Sequence, residues 1–216
     1  MRVAPSILAA DFTELAEEIR RIDVAGADLL HLDIMDGVFV PNLTFGPPIV
    51  EAINRITDME LDAHLMIIRP ERYLLQFLDA GADWISFHAE ATEKTDECIS
   101  VIKERNKKVG LAISPPTPFK HIQQHMEKLD FILVMTVNPG FYGQRFIDDV
   151  LKKIEEVKAW ITRHGLTCVI EVDGGINSST VSKLCDIGVD IIVAGAGVFK
   201  HNDYKKAIEE LRCSKA

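Results

Sequence analysis

Short apolar runs alternate with amphipathic stretches along most of this chain. Buried parallel strands typically read as nearly continuous apolar runs, because helices cover both faces of such a sheet. Runs of this kind lie at Val3–Leu8, Asp28–Met35, Glu60–Met66, Asp83–His88, Lys108–Ile113, Phe131–Val137, Thr167–Val172 and Asp190–Ala194. The pattern predicts eight parallel strands with helices between most of them.

Two connecting stretches show a clear helical pattern. Leu15–Val24 sets its apolar side chains opposite an acidic face, and Asp148–His164 is the longest stretch with that spacing. The helix after the second strand is harder to place, because Pro41, Pro47 and Pro48 crowd its start. The pattern therefore predicts helices that lie outside a central sheet.

A short segment recurs three times, with a glycine, an aspartate two residues later and then an apolar run. The glycines are Gly26, Gly81 and Gly188, which are separated by 55 and 107 residues. Glycine suits the left-handed end of a helix, and the apolar run suits a buried strand. These separations equal two and four βα units of about 27 residues, and 216 residues hold eight such units. The sequence therefore predicts one eight-fold βα barrel over residues 1–216, with no linker.

Composition narrows the class of protein further. Hydrophobic residues make up 47% of the chain, which supports a large core and excludes a disordered chain. The formal net charge of -9 argues against nucleic acid or an anionic membrane as a partner. No apolar run approaches the roughly 18 residues that a membrane span requires, and the N-terminus shows no signal-peptide pattern.

The cysteine pattern indicates a reducing compartment. Cys98, Cys168, Cys185 and Cys213 show no CxxC spacing. We therefore expect four reduced thiols in a cytoplasmic protein, without disulfides.

The segment His31-Leu-Asp33-Ile-Met35-Asp36-Gly37 carries the first candidate chemistry, where the second strand runs into a turn. Strand alternation points His31, Asp33 and Met35 to the same face. An imidazole and a carboxylate on one face can hold a metal ion or form a buried, mutually satisfied pair. This segment alone leaves both interpretations open.

Polar residues at other strand ends favour the metal site. The carboxyl ends of the strands form the active-site face of such barrels, and His64 and Asp173 stand there with His31 and Asp33. Two imidazoles and two carboxylates suit a divalent transition metal that keeps positions open for substrate oxygens. His88 and Glu90 are expected to play supporting roles, and His121, His125, His164 and His201 are expected at the surface.

Glycines follow three successive strands near the end of the chain. They are Gly140 and Gly143, Gly174 and Gly175, and Gly195 and Gly197. Barrel enzymes commonly bind phosphate with their last βα loops, where glycine lets backbone N–H groups approach the anion. The loops therefore predict a phosphate site.

The combined motifs are specific to one family. The chain contains Pro5-Ser-Ile-Leu8, the His31–Gly37 segment followed by Phe39-Val-Pro-Asn42, His64-Leu-Met66, Val134-Met-Thr-Val137 with Pro139-Gly-Phe141, and Glu171-Val-Asp-Gly-Gly175. In this order the motifs resemble the ribulose-phosphate 3-epimerase family over essentially the whole chain. The resemblance implies a (β/α)8 TIM barrel of the ribulose-phosphate-binding type.

The resemblance also implies the site and its cofactor. One divalent metal per subunit, zinc or iron(II), would be held by His31, Asp33, His64 and Asp173, and the two aspartates would also serve as the catalytic acid and base. Substrate would be contacted by Ser6, His64, Met35, Met66, Met135, Gly140, Phe141, Tyr142, Gly143, Gly174, Gly175, Gly195 and Ala196. The methionines would cap the intermediate, although filling the core is the default role of methionine. Relatives are commonly homo-oligomers, so the same is expected here.

The implied reaction interconverts D-ribulose 5-phosphate and D-xylulose 5-phosphate, a step of the pentose phosphate pathway, by proton transfer at C3 through a cis-enediolate. One carboxylate removes the proton and the opposite one delivers another. The alternative is D-allulose 6-phosphate 3-epimerase, with the same chemistry on a hexulose phosphate. An orotidine-type decarboxylase needs a lysine between two aspartates, which is missing between Asp33 and Asp36. A non-catalytic sugar-phosphate sensor is the remaining alternative.

Three positions depart from the family pattern. Ser114-Pro-Pro116 follows the fifth strand where Asn-Pro-Gly is usual, Tyr142 replaces a small residue, and Ala196 replaces a serine. These changes leave the predicted metal ligands intact. They concern the length of the sugar that the site accepts and the affinity of the site for the substrate phosphate.

Overall fold

The computed structural model describes residues 1–213, which form eight strands and eight α-helices. The strands are β1 (Arg2–Pro5), β2 (Leu30–Met35), β3 (Leu61–Met66), β4 (Trp84–His88), β5 (Lys108–Ile113), β6 (Phe131–Met135), β7 (Val169–Asp173) and β8 (Ile191–Ala194). The helices are α1 (Leu15–Val24), α2 (Pro47–Asn54), α3 (Leu74–Asp79), α4 (Thr95–Glu104), α5 (Leu151–His164), α6 (Val181–Ile187), α7 (Ala196–Phe199) and α8 (Tyr204–Leu211). Between β5 and β6 the described chain forms only short 3₁₀ turns.

The eight strands form one parallel sheet that closes into a barrel. The strand order is β1-β8-β7-β6-β5-β4-β3-β2, and every strand pairing in it is parallel. An isolated bridge between Ser6 and His31 joins β1 to β2 and closes the ring. The predicted TIM barrel is therefore confirmed, and two residues of the predicted site lie at its closing seam.

The inside of the barrel is layered. Toward the amino ends of the strands, Trp84 and Phe131 pack with small and branched apolar side chains. Gly110 is required beside this layer, because a Cβ there would lie 2.4 Å from the Phe131 ring. Nearer the carboxyl ends, the interior turns polar with His31, Asp62, Glu171 and other buried groups. The apolar layer thus forms the floor of a polar mouth.

The helices pack outside the sheet, as the apolar spacing predicts. The bounds of α1 match the predicted stretch, and α5 follows a short 3₁₀ turn and ends at Gly165 in the left-handed region, with φ of 62°. The helix α2 begins with Pro47 and Pro48, which fits the first turn because the N–H groups there need no intrahelical partner. The prolines therefore mark the start of this helix rather than exclude it.

Two predictions about side chains are wrong. Cys185 and Cys213 form a disulfide, because the segment after α8 returns beside α6, and only Cys98 and Cys168 are free. Their separation of 28 residues carries no motif that the sequence could reveal. His125 is buried instead of exposed, with Nδ1 3.0 Å from Asp96 Oδ1.

The first strand is shorter than predicted. It ends at Pro5, and Ser6 caps a 3₁₀ turn over Ile7–Ala9 by accepting a hydrogen bond from the Leu8 N–H. This turn brings the Ser6 hydroxyl to the mouth of the barrel. Within residues 1–213, none of the helices combines the length and apolar character needed to cross a bilayer.

Candidate active site and metal centre

Two neighbouring strands supply three of the four predicted metal ligands. In the β2–β3 register, Asp33 lies beside His64, and His31 lies beside Asp62 one layer deeper. Because side chains alternate along each strand, all four point into the barrel. The fourth ligand, Asp173, ends β7 on the far side of the seam.

The structure brings the four predicted ligands together. Asp33 Oδ1 lies 3.5 Å from His31 Nε2 and 3.3 Å from His64 Nδ1. His64 Nδ1 lies 3.9 Å from Asp173 Oδ2. One donor atom from each of the four residues lies within 4.8 Å of all the others, which is close enough for one ion to contact all four.

The donor set fits a divalent metal ion. His31 is fully buried, and its Nε2 has no hydrogen-bond partner among the described residues. A buried nitrogen without a partner is costly unless a ligand satisfies it. Two carboxylates at close range also favour a cation between them, and mixed imidazole and carboxylate ligands suit zinc or iron.

The two aspartates have opposite electrostatic environments. Burial alone would raise the pKa of Asp33, but the positive charge of the neighbouring His31 outweighs burial and lowers it well below its ordinary value. Burial and the neighbouring Asp33 carboxylate raise the pKa of Asp173 to about 7. In the metal-free protein one carboxyl is therefore ionised and the other holds a proton near neutral pH.

A buried carboxylate fixes the orientation of His31. The His31 Nδ1 donates to Asp62 Oδ2 at 2.5 Å, which leaves Nε2 facing the candidate metal centre. A carboxylate behind a ligating histidine is the usual way to select its tautomer. Burial lowers the pKa of His31, but Asp62 and Asp33 outweigh it and raise that pKa well above the ordinary value.

Glu171 completes this deeper layer. With His31 and Asp62 it forms a second group of possible ligands. However, His31 Nδ1 already donates to Asp62, and burial followed by the Asp62 charge raises the pKa of Glu171 well above its usual range. A neutral carboxyl and an occupied nitrogen suit a buried layer beneath the first site better than a second metal.

His64 is held from the opposite side by another histidine. Its Nε2 lies 2.9 Å from His88 Nε2, and His88 Nδ1 lies 3.2 Å from Glu90 Oε2. Burial lowers the pKa of His64 to about 4, so the ring is neutral near pH 7. The expected supporting role of His88 and Glu90 matches these contacts.

Above the ligands lies a cavity of about 290 Å³. It is lined by nearly all of the predicted substrate residues, namely Ser6, Met35, Met66, Met135, Gly140, Phe141, Tyr142, Gly143, Gly174, Gly175, Gly195 and Ala196. Asp33 and Asp173 also reach its wall, whereas His31 and His64 lie beneath it, fully buried. His64 is therefore placed as a metal ligand more readily than as a direct substrate contact.

The Ser6 hydroxyl has a partner that the sequence did not reveal. It donates to Asp33 Oδ2 at 2.5 Å, so it orients one of the two aspartates as well as lining the cavity. This contact arises because β1 ends at Pro5. The hydrophobic pattern alone predicted that the strand continues to Leu8.

The glycine loops form one wall of the cavity. Gly174 has φ of 118° and Gly175 has φ of 66°, both in the left-handed region, and a Cβ on either residue would lie within about 2.5 Å of a neighbouring residue. Within residues 1–213, no backbone carbonyl accepts a hydrogen bond from the N–H groups of Gly174, Gly175 or Gly195. Free N–H groups around a cavity are the usual ligands of a phosphate.

Several cavity residues were missed by the sequence interpretation. They are Leu8, Val137, Pro139, Gln144, Ile176, Asn177, Val193 and His201. Most of them lie in the same loops as predicted cavity residues. Their closeness in sequence to those residues could therefore have indicated that they line the cavity. Asp62 and Glu171 were also missed, although each stands two residues before a predicted ligand on an otherwise apolar strand.

The three positions that depart from the family pattern lie around the cavity or behind its wall. Tyr142 is 55% exposed, and Lys200 Nζ lies 5.9 Å from the centre of its ring. Ala196 begins α7 and adds no hydroxyl to the wall. Ser114 lies outside the cavity and contacts Glu90.

Comparison with known proteins agrees with the geometry. Residues 2–199 match the family described as Ribulose-phosphate 3 epimerase family. The chain belongs to this family. It is 49% identical to ribulose-phosphate 3-epimerase of Bacillus subtilis (strain 168), with all of both chains covered. It is 43% identical to the Escherichia coli (strain K12) enzyme of the same name, covering 97% of this chain and 94% of that one.

Solved structures of other enzymes share the fold. The 3-keto-L-gulonate-6-phosphate decarboxylase of Vibrio cholerae aligns over 98% of this chain and 95% of that one, with a TM-score of 0.74 and 15% identity. This level of identity supports the barrel fold alone. Within residues 1–213, no lysine lines the cavity, which argues against the decarboxylase alternative for this chain.

Proposed function

We propose that the chain interconverts D-ribulose 5-phosphate and D-xylulose 5-phosphate by proton transfer at C3. The observation that carries the proposal is the pair Asp33 and Asp173, which face one cavity from β2 and β7 with opposite pKa shifts. Epimerisation needs one group to remove a proton and another to return one from the opposite side. Two carboxyls from separate strands supply that arrangement.

We propose that His31, Asp33, His64 and Asp173 hold one divalent ion per chain, zinc or iron(II). The converging donor atoms and the unpartnered Nε2 of His31 support this assignment. When bound, such an ion would stabilise the negative charge that develops on the substrate oxygens. Elemental analysis of active enzyme should find about one transition metal per chain, and its absence would contradict the proposal.

The two aspartates would exchange the roles of base and acid between the two directions. In one direction Asp33 accepts the C3 proton and Asp173 delivers another to the opposite face. In the reverse direction Asp173 accepts and Asp33 delivers. The hydrogen bond from Ser6 would hold the Asp33 carboxylate in place during both steps.

Three methionines would keep water from the reacting carbon. Met35 lies beside Met66 in the β2–β3 register, and Met135 lies beside Asp173 in the β6–β7 register. All three are at least 96% buried yet reach the cavity wall. A dry, polarizable lining strengthens the interactions of charged groups and protects a reactive intermediate.

The phosphate of the substrate would bind the glycine loops. The free N–H groups of Gly174, Gly175 and Gly195 support this placement, together with those of Ala196 and Gly197 in the first turn of α7. The remaining loop residues, Gly140, Phe141, Tyr142 and Gly143, would close over the same end.

A kinetic comparison tests the substrate. Metal-loaded protein should turn over ribulose 5-phosphate with a kcat/KM at least roughly tenfold above that for allulose 6-phosphate, because the longer chain adds atoms that the site must accommodate. The relatives named above favour the pentulose. The reverse ratio would assign the hexulose phosphate, and no turnover of either would contradict the proposed function.

We propose further that the protein is a homo-oligomer. Exposed apolar side chains support an interface on the loop after β2 and around α3, where Val38 is 68%, Leu43 73% and Leu75 53% exposed. Light scattering should find particles larger than the 24.1 kDa monomer. A monomeric mass across working concentrations would contradict this proposal.

A further inference from the structure

We propose that His88 and Glu90 are positioning residues that fix the ring of His64 with Nδ1 toward the metal centre. The proposal rests on the proposed function, because it assigns His64 as a metal ligand. It adds two residues that touch neither the cavity nor the other ligands. They would act on the metal only through the His64 ring.

The first step is the choice of nitrogen on His64. Its Nδ1 faces Asp33 and Asp173, at 3.3 and 3.9 Å, so this nitrogen must be free of a proton to bind a metal. In the metal-free protein Asp33 Oδ1 can accept a hydrogen bond from this nitrogen, whereas in the metal-binding form the neutral ring carries its proton on Nε2. That nitrogen lies 2.9 Å from His88 Nε2, and neither histidine is exposed. The His64 Nε2–H therefore donates to His88.

The second step is the choice of nitrogen on His88. Because His88 Nε2 accepts from His64, the neutral His88 ring must carry its own proton on Nδ1. Glu90 Oε2 lies 3.2 Å from that atom, and an ionised carboxylate can only accept. Burial would raise the pKa of Glu90, but the hydrogen bonds that its carboxylate accepts from His88, Thr117 and the Ser114 N–H outweigh burial and lower it to about 2. Glu90 therefore sets the direction of both hydrogen bonds.

The third step is the anchor of Glu90. Its Oε1 accepts from the Ser114 N–H at 2.9 Å and from the Thr117 hydroxyl. Lys153 on α5 donates to the Ser114 carbonyl at 2.8 Å and to the Pro115 carbonyl at 2.7 Å. The segment that departs from the family pattern after β5 is thus the support of Glu90, and it is connected to the metal centre through this chain of contacts.

The two metal-binding histidines are therefore held by different means. His31 meets the Asp62 carboxylate directly, whereas His64 is separated from Glu90 by one imidazole. A change at Glu90 should alter the His64 tautomer and leave His31 unchanged. This difference within one protein provides an internal control.

The test uses Glu90→Ala and Glu90→Gln, with Glu93→Gln as the matched control on the same loop, where Glu93 is exposed. Long-range ¹H–¹⁵N NMR of the metal-free protein near pH 7.5 reports which ring nitrogen of each histidine carries the proton. Competition with a chromophoric chelator measures zinc affinity. Circular dichroism confirms that each variant is folded.

In wild-type protein and in Glu93→Gln, the Nε2–H tautomer of His64 should be populated despite Asp33 Oδ1, which can accept from Nδ1 at 3.3 Å. In Glu90→Ala the share of the Nδ1–H form should increase, and zinc affinity should fall by roughly 10- to 100-fold, the usual cost of losing the group behind a ligating histidine. Glu90→Gln keeps one acceptor oxygen, so its His64 tautomer ratio and its zinc affinity should lie between those of wild-type protein and Glu90→Ala. In every variant His31 should keep its proton on Nδ1.

Other outcomes separate the competing explanations. An unchanged His64 tautomer and zinc affinity in both Glu90 variants, with turnover lost, would overturn the positioning role and indicate proton transfer by Glu90. An equal loss of zinc affinity in the control Glu93→Gln would also overturn the positioning role of Glu90. Wild-type protein that neither binds zinc nor turns over ribulose 5-phosphate would overturn the proposed function, and this proposal with it.

Discussion

Metal-loaded Asp33→Asn and Asp173→Asn variants should each lose epimerisation yet exchange the C3 hydrogen of one epimer with solvent. Asparagine keeps an oxygen that can bind metal but cannot accept or deliver the C3 proton. The remaining aspartate still removes the proton that faces it, while nothing completes the reaction from the other side. Loss of general acid–base catalysis alone should lower turnover by ~10²–10⁴-fold.

NMR of ribulose 5-phosphate and xylulose 5-phosphate in D₂O measures this exchange, after the metal content of each variant has been checked. The two variants should prefer opposite epimers, because Asp33 and Asp173 reach the cavity from different strands. Asp23→Asn on the exposed face of α1 is a matched control and should behave like wild type. Exchange of the same epimer by both variants, or epimerisation at near wild-type rates, would contradict the two-base assignment.

The convergence of the four proposed metal ligands could be predicted because strand geometry leaves few possibilities. Residues two apart on a strand share a face, so His31 and Asp33 had to point together. The carboxyl ends of parallel strands meet at one mouth, so His64 and Asp173 had to be near them. Once the apolar runs define the strands, these positions require no knowledge of side-chain packing. The structure accordingly brings all four residues within reach of one ion.

The supporting contacts could not be predicted, because they depend on lateral register and loop paths. Asp62 is a partner of His31 only because β2 and β3 pair without a shift between those two residues. The Ser6 hydroxyl reaches Asp33 only because β1 ends at Pro5 and the chain turns. Neither the register between strands nor the end of a strand follows from the hydrophobic pattern. That pattern predicted a first strand that continued to Leu8, three residues beyond its end in the structure.

The disulfide illustrates the same limit at the end of the chain. Whether Cys213 approaches Cys185 depends on the direction that the segment after α8 takes. Composition and spacing describe the average environment of a cysteine and not its neighbours in space. The prediction of four reduced thiols therefore failed for the pair whose approach depends on the path of the chain.

Zinc affinity of the metal-free protein should rise steeply with pH, because metal binding must displace protons from the ligands. Asp173 must be ionised to bind, and burial and Asp33 raise its pKa to about 7. His31 must release the proton on Nε2, and its pKa is raised well above the ordinary value because Asp62 and Asp33 outweigh burial. His64, with a pKa of about 4, is already neutral above pH 5 and contributes no proton.

Below pH 7 each zinc ion should displace two protons, one from Asp173 and one from His31, so the logarithm of the affinity should rise by about two per pH unit. Above pH 7 only the His31 proton remains to be displaced, so the slope should fall to about one. From pH 5.5 to pH 7.0 this amounts to roughly several hundredfold. Chelator competition, corrected for protonation of the chelator, measures it. Asp173→Asn has no carboxyl to titrate, so its slope should stay near one throughout, whereas Asp23→Asn should keep the change of slope. A flat profile in wild-type protein, or the same change of slope in Asp173→Asn, would show that Asp173 does not hold the displaced proton.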